Sequence, residues 1–204
     1  MDELAGRMQR AYDQIAPVYA VSNSGALPAN LLTLAQSVVE QCRGLGQRMV
    51  EIGCGVGRDM AWFESQGLAV TGVDLSPSML ALARSKVHGP LVVMDMRLLA
   101  LATDQFAGAW CCAALLHLPK QEANLAIGEL RRVLKRGALL GISVQAGEGE
   151  GWEGGYVAGV KRFFARYSVA EMTALLTAGC FVVHTATSDQ VSKRQWLSFC
   201  CEAS

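Results

Sequence analysis

The sequence predicts an α/β protein built on a doubly wound sheet of seven strands, parallel except for one antiparallel strand near the C-terminus. Three observations carry that expectation. Apolar runs of strand length alternate with amphipathic runs of helical period over most of the 204 residues, the pattern that puts parallel strands inside and helices on both faces. The run from Met49 to Asp59, Met-Val-Glu-Ile-Gly-Cys-Gly-Val-Gly-Arg-Asp, passes from a strand through a glycine turn into a helix. The last two apolar runs, 181–186 and 196–201, have no helical segment between them, which suits an antiparallel hairpin.

Each element has its own local reason. Residues 2–16 place Leu4, Met8, Tyr12, Ile15 and Tyr19 along one helical side, and Pro17 is expected to kink or end that helix. A loop follows over 23–28. Residues 29–42 read as a second helix with Leu31, Leu34, Ala35, Val38 and Cys42 on one face, stopped by Gly44 and Gly46. Val50 and Ile52 suit the first strand. Glycines in the turn let backbone approach a ligand where a Cβ would clash, and the next helix would aim free N–H groups at an anion. Glu51 stands out in an apolar strand, because an unpaired buried carboxylate is costly. A cationic ligand group would resolve it.

Residues 57–66 are read as a helix ended by Gly67, and 68–73 as a strand closed by Asp74. Ser76-Pro77 begins another helix with a capping Ser and Pro at its first position. A third strand covers Leu91 to Met94 and a fourth Phe106 to Cys112, which leaves through Ala113 to Pro119. The next helix is expected over 120–135 with Ala126, Ile127, Leu130, Val133 and Leu134 inward, ended by Gly137, before a fifth strand over 138–145. Gly147 to Gly155 reads as a glycine- and glutamate-rich loop around Trp152, followed by Tyr156, Phe163 and Phe164. Ser168 and Glu171 form a capping box ahead of Met172, Leu175 and Leu176. A loop over 188–194 would join the last two strands.

Composition narrows the function classes. With 51% hydrophobic residues the chain can bury one sizeable core, so a single domain over 1–204 is expected. Formal net charge is zero and no long basic run occurs, which argues against a nucleic-acid partner. The N-terminal residues do not read as a signal peptide, and no apolar run is long enough for a bilayer. Seven cysteines, an odd number without a C-x-x-C pair, read as reduced core residues of a cytoplasmic protein, and no metal set is expected.

The glycine spacing is G-x-G-x-G, not the G-x-G-x-x-G of dinucleotide sites. Asp74 lies 21 positions after Gly53, where an acidic side chain accepts from a ribose diol. With Glu51, this turn resembles motif I of the class I S-adenosylmethionine-dependent methyltransferases, and the resemblance extends over about residues 8–204. It implies a Rossmann-like fold with S-adenosylmethionine as cofactor. It implies a cofactor cradle of Tyr12, Tyr19, Glu51, Gly53, Cys54, Gly55, Gly57, Arg58, Asp74, Leu75, Met79, Asp95, Met96 and Cys112. Asp95 would accept from the adenine amino group and the Met96 N–H would face a ring nitrogen. The resemblance also implies an N-terminal lid over 1–28, a substrate-facing insertion over 146–167, and methyl transfer to a small-molecule acceptor. His117 is the candidate general base, ahead of His88 and His184. A non-catalytic cofactor-binding or partner subunit, and an NAD(P)-dependent oxidoreductase, stay open beside it.

Overall fold

A computed structural model describes residues 2–204. The chain runs α1 (Glu3–Ser22), α2 (Ala29–Leu45), β1 (Arg48–Ile52), α3 (Arg58–Ser65), β2 (Ala69–Asp74), α4 (Pro77–Ala83), β3 (Leu91–Val93), β4 (Phe106–Cys112), α5 (Ala123–Val133), β5 (Leu134–Gln145), β6 (Glu150–Glu153), β7 (Arg162–Ala165), α6 (Val169–Ala178), β8 (Phe181–Val191) and β9 (Arg194–Ala203). The main sheet has seven strands in the order β3-β2-β1-β4-β5-β9-β8. Only β9 runs against the others, pairing antiparallel with both β5 and β8.

Chain order reverses direction between β1 and β4, which lie side by side. Connections leave on opposite faces there, so a crevice opens beyond the strands' carboxyl ends. On one face α2 and α3 bury Val38, Cys42, Met60 and Phe63 with Trp110 of β4. On the other, Ile127 and Leu130 of α5 and Met172 and Leu176 of α6 pack on the sheet. Helix α1 stands over the crevice. Its Ile15 and Ala16 pack with Val56 and with Met79 of α4. Asp13 fastens the pair, accepting from the Ser76 hydroxyl at 2.5 Å and the Ser78 N–H at 3.1 Å.

Four local expectations change. Pro17 does not end α1, which runs on to Ser22; burial of Ile15 and Ala16 and the packing of Tyr19 outweigh one lost ladder bond. The helix expected over 120–135 stops at Val133, because Leu134 already pairs with Phe106 in the sheet. The loop expected over 147–155 contains β6, which forms a separate two-stranded sheet with β7. Trp152 sits opposite Phe163 in that register, and such cross-strand aromatic pairs hold a small hairpin together. The turn between β8 and β9 is correspondingly shorter than 188–194.

Candidate functional site

The glycine turn divides its labour. A Cβ on Gly53 would lie 2.4 Å from the Ala114 Cβ, and one on Gly57 would meet Val87 Cγ1 at 2.9 Å. Those two glycines are required by protein neighbours. Gly55 (φ +52°) is different: a Cβ there would meet only Tyr19 Cε1, at 3.9 Å, so its bare backbone faces the crevice. The N–H groups of Gly53 and Cys54 both donate to the Val73 carbonyl, that of Gly57 to the Cys54 carbonyl, and that of Gly55 to Asp74 Oδ2 at 2.8 Å. Four donors of the turn are therefore spent inside the protein. The free N–H groups expected at the start of the next helix are those of the first turn of α3, from Arg58 on, and are not among these four.

Asp74, at the end of β2, also accepts from the Ser76 N–H at 2.9 Å. Burial raises its pKa, opposed by the backbone N–H groups of Ser76, Gly55 and Leu75. Each carboxylate oxygen keeps acceptor capacity toward the crevice. Ser76, whose hydroxyl accepts from the Met79 N–H at 3.1 Å, caps α4; Asp74 does not. Glu51 is 4% exposed, and among the described residues its Oε2 has no hydrogen-bond partner. Burial, reinforced by Asp59, pushes its pKa well above the usual carboxylate range. An orphaned buried carboxylate oxygen beside an open turn is what a donor-bearing cationic group would satisfy.

Asp95 is gripped by Arg97, whose Nε lies 3.0 Å from Oδ1 and whose backbone N–H donates to the same oxygen at 2.9 Å. Burial acts to raise its pKa, but the Arg97 bonds hold it below the usual value. Arg97 also reaches Asp2 and Glu122. One guanidinium thus ties the start of α1 to the crevice floor.

Above the turn, Tyr12, His117 and Arg162 form a chain. His117 Nδ1 lies 2.6 Å from the Phe163 carbonyl oxygen, which can only accept, so Nδ1 carries the proton. Nε2 then accepts from the Tyr12 hydroxyl at 2.5 Å. The Tyr12 oxygen in turn accepts from Arg162 Nη1 at 3.3 Å. Desolvation lowers the His117 pKa to about 3 and raises that of Tyr12 to about 12. Both ring nitrogens of His117 are thus engaged, Nδ1 with the Phe163 carbonyl and Nε2 with the Tyr12 hydroxyl, and burial opposes protonation of the ring.

Two adjoining hollows make one continuous crevice, sharing Tyr12, Tyr19, Gly53, Gly55, Cys112, Ala113 and His117. Asp74, Leu75, Met79, Asp95 and Met96 line one end. Glu51, Cys54 and Arg58 line the other. Of the residues expected in the cofactor cradle, Gly57 alone stays outside, packed against Ala83 and Val87; His88 and His184 lie outside the crevice as well. Burial pushes the Cys54 and Cys112 thiols up, so neither is a ready nucleophile. Sequence reasoning missed Ser143 of β5 and Arg194, Trp196 and Ser198 around β9, which line the wider end with Tyr156, Arg162 and Phe164. A serine in an alternating strand carries no local mark of facing a cavity.

Comparison with known proteins agrees with this geometry. Residues 50–142 match the family model described as a methyltransferase domain. The chain is 29% identical over 106 residues to methyltransferase GfsG of Streptomyces halstedii, covering 48% of this chain and 37% of that protein. It is 34% identical over 100 residues to N-demethylindolmycin N-methyltransferase of Streptomyces griseus, covering 46% and 42%. The matches thus span about two fifths of these relatives' lengths. In structure it resembles an S-adenosylmethionine-dependent methyltransferase from Methanosarcina mazei, with a TM-score of 0.70 at 19% identity, over 76% of this chain and 91% of the other.

Proposed function

Since residues 50–142 match the model of a methyltransferase domain and the fold is that of solved S-adenosylmethionine-dependent methyltransferases, we propose that the protein transfers a methyl group from S-adenosylmethionine to a small molecule. The observation that carries this reading is the orphaned Glu51 carboxylate beside the Gly55 backbone, both facing one crevice. A methionine amino group is the donor such a carboxylate lacks. Asp74 would accept from the ribose hydroxyls, Asp95 from the adenine amino group, while Leu75, Met79 and Met96 would enclose the base.

The bound cofactor supplies an activated methyl on a cationic sulfur. The chain's residues bind, orient and exclude water. Tyr12 and Tyr19, with ring centroids 6.1 Å apart, both line the crevice, and aromatic faces near a cation contribute roughly 0.5–2 kcal/mol. His117 Nε2 fixes the direction of the Tyr12 hydroxyl. No resident base at His117 is needed for an acceptor that reaches the site already nucleophilic. Helix α1 and the β6–β7 hairpin would act as the cover of a single domain. The name of the Streptomyces griseus relative supports a small-molecule acceptor. Seven free thiols among the described residues support a reducing, cytoplasmic setting.

Calorimetry with S-adenosylhomocysteine is expected to show binding and a raised melting temperature, and NAD neither. NAD binding in its place would overturn the assignment. Incubation with S-adenosylmethionine and a metabolite library, read as S-adenosylhomocysteine release, separates turnover from binding alone.

A further inference from the structure

The crevice's wider end carries a cation, Arg162, that makes no ion pair among the described residues, although Glu153 stands opposite it in the hairpin. Arg162 is half-buried and lies 4.9 Å from the Tyr156 ring centroid, 5.0 Å from that of Phe164 and 5.6 Å from that of Tyr12. Its one hydrogen bond among the described residues goes to the Tyr12 hydroxyl, leaving most of a five-donor fork unspent. The neighbouring arginines differ. Arg166 is paired with Glu153, and Arg194 reaches the other oxygen of the same carboxylate at 3.4 Å. Arg58 is paired with Asp59 at 2.5 Å. Three arginines, 162, 166 and 194, thus gather around one acidic side chain, and the one left over faces the cavity.

A second observation comes from the same cavity. Ser198 is 3% exposed and lines the same cavity, yet among the described residues its hydroxyl has no partner. Trp196, Phe164 and Tyr156 line the same cavity. A cation and an unpartnered hydroxyl in a cavity lined with aromatic rings form a recognition pattern for a planar molecule with polar substituents.

Building on the methyltransferase reading, we propose that the methyl acceptor is a small planar molecule bearing a carboxylate, which Arg162 grips, with its other polar end at Ser198. A guanidinium fork matches a carboxylate bidentately. Stacking on the aromatic walls holds the body. The grip also sets register: the Arg162–Tyr12 bond places the anion next to the wall shared with the cofactor end.

The test uses the full chain saturated with S-adenosylhomocysteine. Phenylacetate, indoleacetate and anthranilate are compared with their amides by calorimetry or ligand-observed NMR at neutral pH. The acids are expected to bind roughly ten- to a hundred-fold more tightly than the amides, the range for hydrogen bonds to a charged group. Arg162→Gln should abolish that preference and leave S-adenosylhomocysteine affinity within about threefold, while Arg162→Lys should keep part of it. Equal binding of acids and amides, or binding of neither, to protein that does hold S-adenosylhomocysteine overturns the proposal. So does an Arg162→Gln variant that loses S-adenosylhomocysteine instead, since Arg162 would then serve the cofactor. Failure of the wild type to bind S-adenosylhomocysteine sinks the methyltransferase reading itself, and the acid–amide comparison in wild type stands even where a variant does not fold.

Discussion

Asp74 is held by two backbone N–H groups and still faces the crevice. Asp74→Ala should weaken S-adenosylhomocysteine binding by about 1.5–3 kcal/mol, the range for hydrogen bonds to charged groups. It should also lower stability, because the Gly55 N–H loses its acceptor; calorimetry and thermal melts measure the two effects separately. Unchanged affinity would leave the residue a purely structural anchor of the turn. His117 makes a pH prediction. Its folded pKa, about 3, lies below its ordinary value of 6.5, so on acidification the unfolded chain takes up a proton the folded one refuses. The His117 contribution to stability is therefore lost from about pH 6.5 downward until the folded value near 3 is reached, amounting to about 2 kcal/mol by pH 5, while Glu51 and Asp74, with raised pKa values, act in the opposite direction. Carboxylates with lowered pKa act in the same direction but begin near pH 4. Denaturant titrations of the wild type and His117→Asn between neutral pH and pH 5 check this. Equal slopes would show that the imidazole is not held neutral.

Helix α1 is at once core and cover. Ala5, Met8, Ala11, Ile15 and Ala16 are buried, while Tyr12 and Tyr19 line the crevice. It is also stitched to the hairpin: the Phe163 N–H meets the Met8 sulfur at 3.1 Å, Arg7 lies 3.8 Å from the Trp152 ring centroid, and Tyr19 packs at 5.3 Å on Tyr156. A chain beginning at Asn23 should fold with a clearly lower melting temperature, since Met8 and Ile15 each bury about 1.5–3 kcal/mol of apolar side chain. Its S-adenosylhomocysteine binding should be weak and its transfer negligible. If the two segments close as one unit, hydrogen exchange over 8–20 and 147–167 should slow together on adding S-adenosylhomocysteine. Exchange unchanged in both segments would make α1 a core helix only. Arg97→Ala should loosen the same helix from its first turn, because it frees Asp2 and Asp95 at once.

For the whole molecule, the sheet can only carry the site if its centre is closely packed. Trp110 of β4 is fully buried, and its indole N–H donates to Asp59 Oδ2 at 3.0 Å, next to Arg58 at the crevice. It fits because Gly141 on the neighbouring strand has no side chain: a Cβ there would stand 2.4 Å from Trp110 Cζ3. Gly141→Ala should therefore cost about 1–3 kcal/mol of stability through overpacking. Chemical denaturation would measure it, and a neutral result would mean that the β4–β5 layer gives way more easily than its packing implies.

The order of the helices and of the seven main-sheet strands, the strand–turn–helix around Gly55, the capped helices at Ser76 and Ser168, and Asp74 as the acidic residue beyond the turn were legible in the sequence, while the β6–β7 hairpin was not. Each rests on spacing within a few residues or one β-α-β unit, where local sterics and period decide the outcome. Tertiary structure decided the rest. Tyr12 meets His117 across 105 positions and Arg162 across 150, so neither the neutral imidazole nor the uncommitted guanidinium has a local signature. Arg162 stands directly opposite Glu153 in the hairpin register, yet it is Arg166 and Arg194 that reach that carboxylate, and the Arg162 guanidinium goes to Tyr12 instead. Gly57 looked like a ligand glycine until α4 was seen against it. Ser198 became a cavity residue because β9 is inserted between β5 and β8, a pairing that depends on long-range burial and that no short stretch of sequence encodes.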